Sequence, residues 1–302
     1  MDTQTLKYIG KDLYKTHILK EWKRYIVFMT RCHLHKGQIN DLLDFFKATP
    51  QRQAMLEHTT SFVEQTTRAF FYKDSTWDER IAIVKNHIEY MENIFNDEAI
   101  AKLYVNGERI RLWEDVYEEQ PVVVMELWFH GGQRKEGCLS LVLSLGADEL
   151  YQIMFWLAPS PEDNELSLWI GALQGTPNGS EIIKGLTKAF FGYRTKNLIF
   201  YGIRNVAAGL GCKHLYAVSN AGYYAMNHVR RDRKLKTSLD DFWQECEGQV
   251  CKDQRFFEMP IEEYRKSMEE LKPSKRAQHR RRFAKMDEIT ESVTEVLNNY
   301  KK

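Results

Sequence analysis

The chain has 302 residues, of which 43% are hydrophobic, 13% aromatic and 28% charged, a composition suited to a globular fold with large apolar surfaces to bury. Its 43 Lys and Arg offset 42 Asp and Glu, which argues against a general polyanion binder. No apolar run reaches the roughly 18 residues of a membrane-spanning helix, and the N-terminus lacks the charged-then-apolar design of a secretory signal, so a cytoplasmic location is expected.

The first 115 residues read as helical. Asp12 to Met29 mixes apolar and basic positions, and Ile39 to Phe46 carries Leu42, Leu43, Phe45 and Phe46. Met55 to Phe71 and Trp77 to Phe95 follow. In the last, Ile81, Val84, Ile88 and Met91 keep a 3.6-residue stripe, and the run from Asp74 to Glu79 supplies a capping hydroxyl and early acids. The pattern changes near Pro121. Val122 to Phe129 is a β-branched and aromatic run, and Leu139 to Leu145 has leucine at every second place. Leu150 to Leu157 and Leu166 to Leu173 supply two more strands. Four strands so closely spaced predict an antiparallel meander. Helices resume at Glu181 to Phe191 and Leu198 to Leu210, and a strand ends at Val218. A short helix is expected at Asp240 to Glu245 and a tail helix from Lys275 to about Asn299. The expected class is α+β: a helical region over 1–115, then a mixed, mainly antiparallel sheet with flanking helices over 116–302.

Candidate site residues cluster at strand ends, where α/β folds place binding and catalysis. Gln174, Gly175, Gly179 and Ser180 lie in the loop before a helix, where backbone N–H groups attract an anion; the same residues also suit a plain turn with Ser180 as cap. Ser219 and Asn220 end the later strand, with Tyr223 and Tyr224 beyond them as proton donors; Ser and Asn equally make N-caps. Glu126 is the one charge in an apolar strand, which suits either a base of raised pKa or a solvent-facing edge. His130 and His214 are lone histidines, with no acid nearby in sequence to complete a triad. Arg230, Arg231 and Arg233 form a basic run suited to a phosphate-rich or anionic substrate, or to a solvated face. Lys275 to Arg282 is a second basic run, suited to an anionic membrane surface, to RNA, or to docking on acids elsewhere in the chain or a solvated face, the balanced net charge favouring the last two. The five cysteines are an odd number without a Cys-x-x-Cys spacing, which disfavours zinc and a disulfide framework. With no zinc site and no helix-turn-helix pattern, DNA recognition is disfavoured too.

Several runs in order carry a resemblance: Gly171-Ala-Leu-Gln-Gly175, Asn205 to Gly211, Val218-Ser-Asn220, Asp241 to Glu245 and Lys275 to Arg282. Together they resemble the VirK/YbjX family of Gram-negative bacteria. That resemblance implies a cytoplasmic protein tied to envelope integrity, virulence and tolerance of antimicrobial peptides, with no assigned chemistry. The order of elements is also similar to the core of GNAT-type N-acyltransferases. This second likeness implies acyl-CoA as cofactor, held at Gln174, Gly175, Gly179 and Ser180, with Ser219, Asn220 and Tyr224 assisting catalysis; Glu126 joins them as a candidate base on its own strand position. Two functions follow as expectations. One is an acyltransferase-like enzyme acting on an envelope component or peptide amine. The other is a non-catalytic accessory factor binding an envelope-biogenesis or virulence-protein partner.

Overall fold

The computed structural model describes residues 3–116, 122–129, 135–176, 180–227 and 237–302. Seven helices come first: α1 (Thr3–Leu13), α2 (Leu19–Leu34), α3 (Lys36–Lys47), α4 (Pro50–His58), α5 (Ser61–Thr67), α6 (Trp77–Ile94) and α7 (Asp97–Tyr104). Their starts are set by local chemistry. Thr76 and Glu79 form a reciprocal capping box at α6, Thr49 caps α4 ahead of Pro50, and Asn96 caps α7. Two runs expected to be single helices are broken. Asp12 to Met29 contains the junction of α1 and α2, and Met55 to Phe71 contains that of α4 and α5.

The strands follow. β1 (Arg109–Val116), β2 (Val122–Trp128), β3 (Leu139–Leu145), β4 (Asp148–Pro159) and β5 (Leu166–Gly175) run antiparallel in chain order, so the expected meander is present. β1 falls inside the stretch expected to be helical. After α8 (Ser180–Ala189) and α9 (Thr195–Gly209), β6 (His214–Val218) joins β5 in parallel. α10 (Leu239–Glu245), β7 (Gln249–Val250), β8 (Phe256–Met259) and α11 (Pro273–Tyr300) complete the described chain. The sheet has eight strands in the order β1-β2-β3-β4-β5-β6-β8-β7. The protein is thus α+β, with a mixed, mainly antiparallel sheet flanked by helices.

Both faces of the sheet are covered, which is why all seven residues of β3 are buried, serines included. On one face α9 lies against β3, β4 and β5 and reaches β2 at Met125. A Cβ added at Gly202 would sit 2.7 Å from the Met125 sulfur, so glycine is what permits that approach. α11 packs on α9 through Met286, Ile289, Val293 and Leu297, and Tyr201 on α9 bonds Thr290 at 2.7 Å. Elsewhere the helical region meets β4 beyond the end of β3. There the Leu157 N–H has no strand partner and donates instead to His87 Nδ1 on α6 at 3.1 Å. The same ring reaches the Tyr104 hydroxyl at 2.7 Å through Nε2. Because Nδ1 accepts, Nε2 carries the hydrogen and donates to Tyr104.

Two irregularities matter for the site. Met154 pairs with Ala172 and Phe155 with Ile170, so Gly171 bulges out of the β4–β5 ladder. The parallel β5–β6 pairing covers Ser167 to Ile170 against His214 to Ala217 only, while β5 continues to Gly175. The ends of the two strands are therefore free to hold something between them.

Candidate functional site

The residue found there is Glu136, from the segment leading into β3. It is 3% exposed. Its carbonyl occupies the space that a side chain at Gly171 would need, 1.8 Å from an added Cβ. Its carboxylate Oε1 accepts from Gln174 Nε2 of β5 at 3.1 Å and from the Tyr223 hydroxyl, after β6, at 3.2 Å. Tyr224 gives the carboxylate a further hydrogen bond. Burial pushes the Glu136 carboxyl up from 4.5 to about 7, against the opposing pull of Lys135, the two tyrosines and Gln174. Burial and the Glu136 charge together raise Tyr223, so this hydroxyl keeps its proton and remains a donor.

The cluster is held from the helical side. The Phe71 N–H donates to the Lys135 carbonyl at 2.7 Å, and the Lys73 N–H donates to the Gly222 carbonyl at 2.7 Å. Between them Tyr72 forms a β-bridge with Tyr223. Gln65 on α5 donates to the Gly137 carbonyl at 2.7 Å. Phe71 adopts a φ of +67°, a conformation costly for an aromatic residue, and both flanking contacts hold it there.

Beside the cluster lies a cavity of about 820 Å³, the size of a site for a small organic ligand. Its floor is a row of cross-strand partners, Trp156 on β4, Trp169 on β5 and Tyr216 on β6. The two indoles lie 6.1 Å apart and within 9° of parallel, and Tyr216 is 4.2 Å from Trp169. Tyr72 and Phe256 add walls, and Glu79, Lys252 and Arg255 bring charge to the rim. The buried Trp169 indole N–H has no hydrogen-bond partner among the described residues. Trp156 joins cavity and cluster: it stacks on Tyr72, touches Phe71 edge-on and lies beside Gly171 and the Glu136 carbonyl. Arg255 joins them again. Its guanidinium lies 4.8 Å over the Tyr72 ring while its carbonyl accepts from Ser219 N–H. Among the described residues, no group of three or more His, Cys, Asp or Glu is arranged to hold a metal ion.

The family model for a protein of unknown function, DUF535, matches residues 17–295. The chain belongs to this family, that of VirK and YbjX. It is 22% identical over 270 residues to an uncharacterized protein of Haemophilus influenzae, covering 87% of each chain. It is 31% identical over 129 residues to the uncharacterized protein YbjX of Escherichia coli, covering 41% of this chain and 38% of that one. No solved structure matches it. The matched span of this DUF535 chain contains Glu136, Gln174, Tyr223 and the cavity floor.

Of the residues singled out from sequence, Gln174, Tyr223 and Tyr224 come together, and Glu136 is what joins them. Glu126 stands apart on β2, held between Arg109 at 3.0 Å and Arg111 at 3.2 Å. Ser219 closes a turn: its hydroxyl donates to the Gln254 carbonyl at 2.8 Å and accepts from Gly222 N–H at 3.0 Å. Asn220 ties the strand end to α10, accepting from Leu239 N–H at 2.7 Å and donating to Ser238 at 3.0 Å. Gly175 lies against the Tyr151 ring, and Ser180 is the first residue of α8. His214 sits between Glu258 at 2.8 Å and Asp163 at 3.0 Å, which raises its pKa. Gly179, His130, Arg230, Arg231 and Arg233 lie outside the described residues. No described helix is long and apolar enough to cross a membrane.

Glu136 itself escaped sequence reasoning. It stands in Lys135-Glu136-Gly137 between two strands and carries no local pattern. Only the bulge at Gly171 and the short β5–β6 pairing make it central.

Proposed function

We propose that this chain is an acyltransferase-like enzyme that modifies an amine on an envelope component or peptide, with Glu136 as proton acceptor and Tyr223 as its relay. One observation carries the reading: a buried carboxyl whose pKa lies near 7, bonded to a tyrosine hydroxyl where two parallel strands separate. A group that is half ionised near neutral pH can take up a proton and return it. An acyl thioester, when bound, supplies the carbonyl carbon that the amine attacks. As the C–N bond forms, Tyr223 passes the amine's proton to Glu136, and the same pair returns it to the departing sulfur as the C–S bond breaks. The order of elements agrees with the acyltransferase likeness: β2 to β5 antiparallel, a loop, helices, then the parallel strand β6 with its tyrosines. The first turn of α8, whose N–H groups lack intrahelical partners, is where the donor's phosphates would be held. The envelope as the place of action follows from the VirK/YbjX resemblance.

A panel of CoA thioesters should raise the thermal midpoint of the purified protein by mass action. Glu136→Gln should keep that shift and lose acyl transfer. If no thioester shifts the midpoint, and Glu136→Gln cells keep full tolerance of antimicrobial peptides, the enzyme reading is wrong.

A second reading, a non-catalytic accessory factor, is favoured by the enclosure of Glu136, whose carboxylate is satisfied inside the protein as structural polar networks are. Under it, Glu136→Gln would alter stability alone and leave the envelope phenotype intact.

A further inference from the structure

The outer face of α2 is apolar, which is the reverse of what a surface helix presents. Leu19 is 70% exposed, Trp22 48%, Ile26 41%, Val27 47% and Leu34 74%. At 3.6 residues per turn these five fall within about 140° of arc, which exposed Lys23, Thr30 and His33 share. Phe28 and Cys32 point the other way and are buried in the core. Single exposed apolar side chains mean little, but a contiguous face marks an interaction surface. Tyr8 of the neighbouring α1 is 58% exposed as well.

Charge says what that surface meets. Residues 3–36 hold eight Lys and Arg against two acids, Asp12 and Glu21, in a chain whose net charge is only +1. Lys7, Lys15, Lys20 and Lys23 are exposed and make no ion pair among the described residues. Apolar side chains flanked by unpaired lysines on a helix too short and polar to span are the design of a helix lying in a membrane interface. The tryptophan suits the headgroup level, and the lysine stems can run along the apolar boundary with their ammonium groups at the phosphates. A second copy of the chain would set two strongly positive faces against each other. A nucleic acid would satisfy the lysines and leave Leu19, Trp22 and Ile26 in water.

We infer that α2 docks this protein onto an anionic lipid surface, with Leu19, Trp22 and Ile26 entering the interface and Lys20 and Lys23 engaging lipid phosphates, while Arg24 is paired with Glu21. The inference stands independently of the chemistry at Glu136. The full chain is tested by co-sedimentation with vesicles of 30% phosphatidylglycerol in phosphatidylcholine and with phosphatidylcholine alone. Binding to the anionic vesicles is expected, falling at least about ten-fold on Lys20→Glu with Lys23→Glu, and similarly on Trp22→Ser with Ile26→Ser. These residues are exposed, so each variant should melt as the parent does, which separates lost docking from lost folding. Absence of binding to anionic vesicles overturns the inference. So does binding that neither variant weakens, a dimer in light scattering that Trp22→Ser dissociates, or single-stranded RNA binding without vesicle binding.

Discussion

Replacing Glu136 by Gln keeps the shape of the side chain and removes its ability to ionise. In the folded protein the carboxyl holds its proton up to about pH 7, whereas an unfolded glutamate releases it near 4.5. Between those values the unfolded chain binds fewer protons than the native one, so the parent loses stability as pH rises, and the loss is complete above 7. The displacement from 4.5 to about 7 corresponds to roughly 3 kcal/mol at pH 8 and roughly 1 kcal/mol at pH 5. The glutamine does not titrate. Its stability relative to the parent should therefore improve by roughly 2–3 kcal/mol between pH 5 and pH 8, whatever constant offset its amide introduces. Urea unfolding of both proteins, followed by circular dichroism at the two pH values, measures the gap. Other carboxylates and histidines titrate alike in both proteins and cancel. A gap that is the same at pH 5 and pH 8 would show that Glu136 does not hold its proton in the folded state, and the proton-acceptor argument would fall with it. The variant should thus gain on the parent as pH rises while losing activity, as expected where a buried carboxyl serves function rather than folding.

Three further outcomes are expected. Gly171→Ala should cost about 3 kcal/mol or more, because its Cβ would collide with the Glu136 carbonyl and the Trp156 ring; a melting temperature within a degree of the parent's would contradict the packing. His87, wholly enclosed and pushed down to about 3 by burial, should show ¹⁵N shifts unchanged from pH 8 to pH 4, while His214, raised by Glu258 and Asp163, should titrate above 6.5. The signs are opposite: His87 withdraws stability as pH falls below 6.5, and His214 contributes a small, largely screened stability below 6.5 that is lost as pH rises. Arg204→Met should cost about 3 kcal/mol by chemical denaturation, since it removes the buried partner of Glu263 at 3.2 Å and of the Cys246 carbonyl at 3.0 Å; a neutral effect would mean that the methionine packing on Phe200 compensates fully.

Where a local pattern decides structure, the sequence is readable. The alternating leucines of β3, the capping box at Thr76 and the closely spaced strands from Val122 to Gly175 all appear in the fold. β1 was hidden because Arg109 and Arg111 interleave with buried Ile110 and Leu112 next to a helical run, and β7 and β8 because they are two and four residues long. The site was half legible. Gln174, Tyr223 and Tyr224 flank strand ends, where position alone is informative. Glu136 gains its meaning from residues 38 and 87 positions away in the chain. Glu126 looked comparable, but the arginines that neutralise it lie on a strand that the pattern concealed.

The short segment around Phe71 has a consequence for how this molecule comes into being. It bonds to Lys135 on one side and Gly222 on the other, and Arg255 closes over Tyr72 from later still. No stretch of nascent chain ending before Tyr224 can contain the Glu136 cluster, whatever else has already folded. Contacts spanning so much sequence form late, since the loops they close must be ordered first. Glu136 is therefore sealed only once segments from Gln65 to Tyr224 have come together, long after its own stretch of chain has been made.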